Sequence, residues 1–238
     1  MDVMNGRKGG GHMPPTQVVI AALNEEDGIG PTINELQTLL DYPYILVVDG
    51  KSTDRTVDVA KSLGATVILQ DKSGKGDALA KGLKYLDSMA DYIVFTDADF
   101  TYPAEHLLEM FAVIEQDRKV GMVIGNRFKG EMNSQKSLTN AFYLGNRLLA
   151  FAQHAVNGIK LEDPLSGLRV VRKGILEDWK PKSRGFDVEA EMNYRVEQKG
   201  FKIVEIPINY RNRIGEKKLK LRHGFAILKR IVSESFYT

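Results

Sequence analysis

Asp97 and Asp99 stand one residue apart, just after the apolar run Ile93-Val94-Phe95. The run, β-branched and aromatic, reads as a buried strand. Two carboxylates at the carboxyl end of a buried parallel strand sit where open α/β sheets bind ligands. In a locally bent chain both reach one hard divalent cation. Oxygen ligands with no Cys or His nearby suit Mg²⁺ or Mn²⁺. A cation held by two carboxylates keeps positions for water and for substrate phosphate oxygens. A plainer reading makes the pair turn formers and helix caps ahead of Pro103-Ala104-Glu105-His106-Leu107-Leu108.

The elements that would position this pair alternate regularly. Val18 to Ala22 is an apolar strand, Asn24 to Pro31 a loop, and Thr32 to Leu40 a helix with Ile33, Leu36 and Leu40 on one face. Tyr44 to Val48 is a second buried strand ending in Asp49. A helix over Thr56–Leu63 follows the capping residues Ser52-Thr53-Asp54 and stops at Gly64. Ala65 to Leu69 is a third strand, and a helix from Gly76 to Met89 leads into Ile93–Phe95. This β-α-β-α order predicts an α/β fold: a mostly parallel sheet with helices on both faces. Four strand ends carry polar residues: Asn24 and Glu25, Asp49, Gln70 and Asp71, Asp97 and Asp99. That lines one sheet edge with ligand-competent groups.

Composition narrows the class. The 238 residues are 43% hydrophobic and 27% charged, ordinary for a globular chain that buries its own core. There is no cysteine, which excludes disulfides and thiolate metal sites. The net charge is +2, but from Gly200 onward nine Lys/Arg face three Asp/Glu. No apolar run approaches the roughly 18 residues that span a bilayer, and no signal peptide is evident. Residues 1–15, with Gly9-Gly10-Gly11-His12-Met13, read as a disordered leader or a tag remnant. Gly28-Ile29-Gly30 lacks the third glycine of a dinucleotide fingerprint. Ser73-Gly74-Lys75-Gly76-Asp77 lacks the first glycine and the Ser/Thr of a Walker A loop. No Gly-x-Ser-x-Gly elbow is present. A nucleic-acid partner is not expected.

Four segments in order, Ala21-Ala22-Leu23-Asn24-Glu25, Val48-Asp49-Gly50-Lys51-Ser52-Thr53-Asp54-Arg55-Thr56, Gly74-Lys75-Gly76 and Asp97-Ala98-Asp99, resemble the motif set of family 2 glycosyltransferases. Three later segments, Asp163-Pro164-Leu165-Ser166-Gly167-Leu168-Arg169, Phe186-Asp187-Val188-Glu189-Ala190-Glu191 and Ile206 to Leu219, resemble the dolichyl (polyprenyl) phosphate sugar synthase branch. The resemblance implies a GT-A fold over residues 16–216, followed by a basic amphipathic helix over 217–238. It implies transfer of mannose, glucose or N-acetylglucosamine from a GDP- or UDP-linked sugar to dolichyl or polyprenyl phosphate, with inversion. The alternative is a soluble enzyme of the same fold with a sugar, glycerate or polysaccharide acceptor.

Residue by residue, the resemblance places Ala21, Leu23, Glu25, Asp49, Lys75 and Asp97 around the nucleotide. It places Asp97 and Asp99 on the metal, with Thr101 where mannosyl members carry a glutamine ligand. Arg127, Arg213 and Lys218 match the basic residues of the catalytic centre. Asp163, Ser166, Gly167 and Glu189 match the acceptor side. A lipid monophosphate needs no strong base, because its second pKa is near 6; placing it calls for Arg and Lys. In the tail, Leu221, Phe225, Leu228 and Val232 fall on one helical stripe beside Arg222, Lys229 and Arg230. Such a helix either lies in a membrane interface or docks on the sheet. The expected location is cytoplasmic, peripheral at the cytoplasmic membrane face in the first case.

Overall fold

Burial on both faces shapes the first half of the chain. β1 (Thr16–Ala22), β2 (Tyr44–Asp49) and β4 (Tyr92–Asp97) are almost continuously buried. Their residues alternate between two apolar layers. Val18, Ile20, Ile45, Val47 and Val94 pack against α1 (Glu26–Leu40) and α4 (His106–Gln116). Val19, Leu46, Val48, Ile93 and Phe95 pack against α3 (Lys75–Gly82), α6 (Lys173–Leu176) and α7 (Val188–Gln198). The computed structural model describes residues 13–40, 43–130, 141–216, 218–220 and 223–234. The expected leader up to residue 12, and Lys217, Leu221 and Arg222 of the tail, lie outside the described residues.

With β3 (Thr66–Leu69), β5 (Val120–Asn126), β6 (Arg169–Arg172) and β7 (Lys202–Pro207), the strands form one seven-stranded sheet in the order β3-β2-β1-β4-β6-β5-β7. All pairings are parallel except those of β6, which runs antiparallel to β4 and β5. The chain leaves β1 for β2 on one side and reaches β4 on the other, so the order reverses there and a crevice opens beyond the strand ends. Register sets Ala21 of β1 beside Asp97 of β4, and Ala22 beside Asp49 of β2.

The fold departs from the sequence expectations in four places. The segment expected as a loop up to Pro31 is already helical from Glu26. Glu26 and Asp27 favour the positive end of the helix, and Pro31 removes only the bond to the carbonyl of exposed Asp27, which water can satisfy. The helix expected to reach Met89 ends at Gly82. Gln17 then takes over the backbone, donating to the Tyr85 carbonyl at 2.9 Å and accepting from the Asp87 N–H at 2.8 Å. Residues 13–15 are docked: Met13 packs on the core, and the Pro15 carbonyl accepts from the Asp91 N–H at 2.8 Å. The C-terminal helix, α8, spans His223–Glu234 and seats Ile227 and Ile231 against Leu149 of α5 (Ala141–Asn157) and Ala190 of α7.

After the edge strand β7, residues 208–216 fold back across the strand ends. Arg211 donates to both oxygens of Glu35, at 2.6 and 3.0 Å, and lies over the Phe100 ring at 4.2 Å. The Arg211 N–H donates to the Thr101 carbonyl at 2.9 Å, and the Asn209 N–H donates to His106 Nε2 at 2.9 Å.

That last bond needs neutral His106. Burial and Arg211 lower its pKa against the pull of Glu105 and Glu109. An unfolded histidine takes up a proton near pH 6.5, where the folded one still resists. Stability therefore rises with pH through that window and is lost below it. Urea unfolding between pH 5 and 8 should show His106→Gln losing less stability on acidification than the parent, by up to about 1 kcal/mol, the worth of one such bond. Parallel pH profiles would show that the bond contributes nothing.

Candidate active site

Seven side chains form one ionic cluster at the ends of β1 and β4. Lys75 opens α3, and its Nζ lies 2.6 Å from Asp97 Oδ1 and 2.7 Å from Glu189 Oε1. Arg213 donates to Asp99 Oδ2 at 2.6 Å and also to Glu25 Oε1. Lys218 donates to Glu25 Oε1 at 2.9 Å and to the Asn24 carbonyl at 2.8 Å. Four carboxylates thus face three cations, leaving the cluster acidic by one charge.

Burial pushes Asp97 up, but Lys75 in contact and Arg127 and Arg213 beyond it hold its carboxyl below the usual range. Asp99 shifts the other way, raised by burial and by the Asp97 charge against Thr101 and Arg213. Burial also raises Glu25, outweighing Lys218 and Arg213. Desolvation disfavours Lys75 as a cation, yet Asp97 and Glu189 lift it well above its ordinary value.

Close backbone approach builds this cluster. A Cβ on Gly28 would sit 2.6 Å from the Ala98 carbonyl oxygen and 2.8 Å from Asp99 Cα. Only glycine lets α1 pack directly on the Asp97–Asp99 loop. On the opposite side, a Cβ on Gly167 would fall 2.7 Å from Asp97 Oδ2. Gly167 is fixed by its N–H, which donates to Tyr102 Oη at 2.7 Å. Buried Arg169 holds the preceding turn, donating to the Pro164 carbonyl at 2.6 Å and the Ser166 carbonyl at 2.8 Å.

The cluster forms the polar part of a cavity of about 350 Å³. Ala21, Leu23, Lys75, Asp97, Asp99, Arg127, Glu189, Arg213 and Lys218 line it, so nine of the residues read from the sequence meet there. Others stand one layer behind. Glu25 anchors Arg213 and Lys218. Asp163 grips Arg127 through Oδ1 at 2.7 Å and Oδ2 at 2.8 Å. Ser166 is fully buried, and its Oγ has no partner among the described residues.

Two residues differ from the roles expected of them. Asp49 is fully buried, with Oδ2 accepting from the Ser52 N–H at 2.9 Å and Oδ1 from Ser52 Oγ at 2.5 Å. It shapes the turn behind Gly50, which lines the cavity in its place. Thr101 is also fully buried and gives its hydroxyl to Asp99 Oδ1 at 2.6 Å, so it orients that carboxylate rather than presenting a ligand.

The sequence reading missed the apolar wall. Phe142, Leu149, Leu165, Phe186, Leu219 and Ile227 line the same cavity as the ionic cluster. Its signal was available in α5, whose apolar residues recur at helical spacing on both a buried and an exposed face.

The donor set suits a hard cation. Asp97 and Asp99 offer carboxylate oxygens, and Glu25 Oε2 and Glu189 Oε2 are buried without partners among the described residues. Among those residues no group of three or more His, Asp or Glu is arranged as a metal site. A cation here would depend on the Asp97/Asp99 pair and on oxygens brought by its substrate, and Arg213 would have to release Asp99.

The sequence profile described as Glycosyl transferase family 2 matches residues 17–180. A dolichyl-phosphate hexose transferase of Haloferax volcanii is 34% identical over 221 residues, covering 90% of this chain and 91% of that protein. An undecaprenyl-phosphate mannosyltransferase of Micrococcus luteus is 29% identical over 218 residues, or 84% of this chain and 86% of that protein. Among solved structures, glucosyl-3-phosphoglycerate synthase from Mycobacterium tuberculosis, in complex with Mn²⁺, UDP-glucose and phosphoglyceric acid, is similar with a TM-score of 0.72. Sequence identity to it is 21%, and the match covers 98% of this chain and 86% of that one.

The contact between Gly167 and Asp97 allows a direct check. Gly167→Ala should displace the Asp97 carboxylate and weaken Mn²⁺-dependent binding of a nucleoside diphosphate at least about ten-fold by calorimetry. The overpacking should cost about 1–3 kcal/mol in urea unfolding. Parent-like affinity would mean that Asp97 does not contact the ligand.

Proposed function

The chain belongs to glycosyl transferase family 2, and we propose that it transfers a hexose from a GDP- or UDP-linked sugar to dolichyl or polyprenyl phosphate. Its fold is the GT-A-like α/β arrangement of that family's structural neighbours. One observation carries the acceptor reading: a single cavity is lined both by Asp97, Asp99, Arg127 and Lys218 and by Phe142, Leu149, Phe186 and Ile227. The charged lining suits two phosphate-bearing substrates, and the apolar lining suits the first isoprenes of a lipid. The names of the Haloferax volcanii and Micrococcus luteus relatives point the same way.

Asp97 and Asp99 would hold Mg²⁺ or Mn²⁺, which would neutralise charge on the departing nucleoside diphosphate. The chain's own groups supply the rest. Ala21, Leu23 and Gly50 give the nucleoside a smooth wall, while Lys75 holds Asp97 and Glu189 in place. Arg127, held by Asp163, is a fixed positive charge for the acceptor phosphate. An acceptor phosphate oxygen attacks the anomeric carbon as the bond from that carbon to the β-phosphate oxygen breaks. The nucleoside diphosphate leaves with the electron pair, and a single displacement inverts the configuration. Ionised at neutral pH, the phosphate needs no proton removed.

Arg213 acts on the moving charge. Its guanidinium makes parallel bonds to phosphate that an ammonium cannot match, and it sits two residues before Gly215, at φ +85°. Released from Asp99 and Glu25, it would close on the pyrophosphate during transfer.

Membrane contact is part of the proposal. Among the described residues no helix is long and apolar enough to cross a membrane. α8 docks through Ile227 and Ile231 while leaving Phe225 80% exposed. α5, packed beside it, leaves Phe151 69% and Leu148 63% exposed. Apolar side chains at that exposure, next to Arg147 and Lys229, suit peripheral seating on a bilayer.

Supplied with polyprenyl phosphate and Mn²⁺, the protein should move label from GDP-mannose, UDP-glucose or UDP-N-acetylglucosamine into the organic phase. Label that appears only on water-soluble sugars, glycerates or polysaccharides would overturn the lipid acceptor. Arg213→Lys should lower turnover by about 2–4 kcal/mol in transition-state stabilisation, with a smaller change in nucleotide affinity. Parent-like turnover would return Arg213 to surface charge.

A further inference from the structure

Gln70 follows β3, lines the cavity beside Ala21, Leu23 and Gly50, and takes no part in the ionic cluster. Its backbone N–H donates to the Asp49 carbonyl at 3.0 Å. Its side-chain Nε2 donates to the Lys72 carbonyl at 3.0 Å. A carbonyl oxygen only accepts, so this bond settles which end of the amide is which. Gln70 lines the cavity, and its Oε1 takes no bond from a donor among the described residues. The nearby carboxylate of Asp49 already accepts from Ser52 through both its oxygens. Beside this acceptor, Leu23 is 41% exposed, and Gly50 leaves the backbone bare. A flat ring would cover both.

We propose that Gln70 selects the nucleobase of the donor, its Oε1 accepting the ring N–H of an imide-bearing base, uracil N3–H or guanine N1–H. Cytosine and adenine carry a lone pair at the corresponding ring nitrogen. Against them Oε1 meets another acceptor and loses its water without gaining a bond, the kind of mismatch that rejects a wrong ligand strongly. The inference rests on the transferase reading, which puts a nucleoside diphosphate in this cavity.

Calorimetry of the full chain with Mn²⁺ and, in turn, UDP, GDP, CDP and ADP tests it. UDP or GDP should bind at least about ten-fold more tightly than both CDP and ADP, as one buried hydrogen bond to the correct base requires. Gln70→Met keeps the length of the side chain and removes the acceptor. It should weaken the preferred nucleotide about ten-fold while leaving CDP and ADP unchanged, erasing the preference. If Gln70→Met does not fold, the four-nucleotide panel on the parent decides alone. CDP or ADP binding as tightly as UDP and GDP, or an undiminished preference in Gln70→Met, would overturn the assignment to Gln70. If none of the four nucleotides binds, the transferase reading falls as well.

Discussion

Lys75 sits between half-buried Asp97 and buried Glu189, and the arrangement of the cavity depends on that contact. Asp97 and Glu189 come from distant parts of the chain, β4 and α7, and Glu189 would be costly to bury as an unpaired anion. Removing the ammonium would leave buried Glu189 uncompensated, and stranding a buried charge in this way typically costs about 3–5 kcal/mol. Lys75 therefore joins the two sides of the cavity as well as balancing their charge. Gly28, Gly167 and Arg169 serve the same end by bringing backbone against the carboxylates and holding it there.

The other half of the cluster is built to change. Arg213 and Lys218 are each about a quarter exposed and lie on the segment that crosses the strand ends after β7. They neutralise Asp99 and Glu25 as Lys75 neutralises Asp97 and Glu189, but among the described residues they lie on no helix or strand. Arg211 and His106 pin the segment upstream, and Gly215 lies downstream of Arg213. The arrangement combines a rigid anionic floor with a cationic strap whose charges a metal and a diphosphate could take over. Burial raises the pKa values of Asp99 and Glu25 in this same half.

Much of this was legible in the sequence. β1, β2 and β4 are buried on both faces, which compresses them into short β-branched and aromatic runs. The start of α1 was not, because Gly28-Ile29-Gly30-Pro31 has the composition of a loop; Gly28 is there for packing against the Asp99 backbone. β6 was not found as a strand: it is four residues long and both ends are arginine. The chemistry-bearing residues could be named by type and order, whereas their partners could not. Nothing in spacing says that Lys75 meets Glu189, that Arg213 bridges Glu25 and Asp99, or that Asp49 and Thr101 face inward. Those relations arise only when seven strands bring their ends to one edge.

The central claim is that Asp97 and Asp99 together hold a divalent cation once Arg213 lets go. Manganese offers the most direct reading, because free Mn²⁺ gives a solution electron paramagnetic resonance signal that disappears on binding. The parent chain with UDP or GDP should quench that signal in a saturable way at one ion per chain, and Asp99→Asn, folded to the same extent, should leave most of it. Equal quenching by Asp99→Asn and the parent would contradict the assignment.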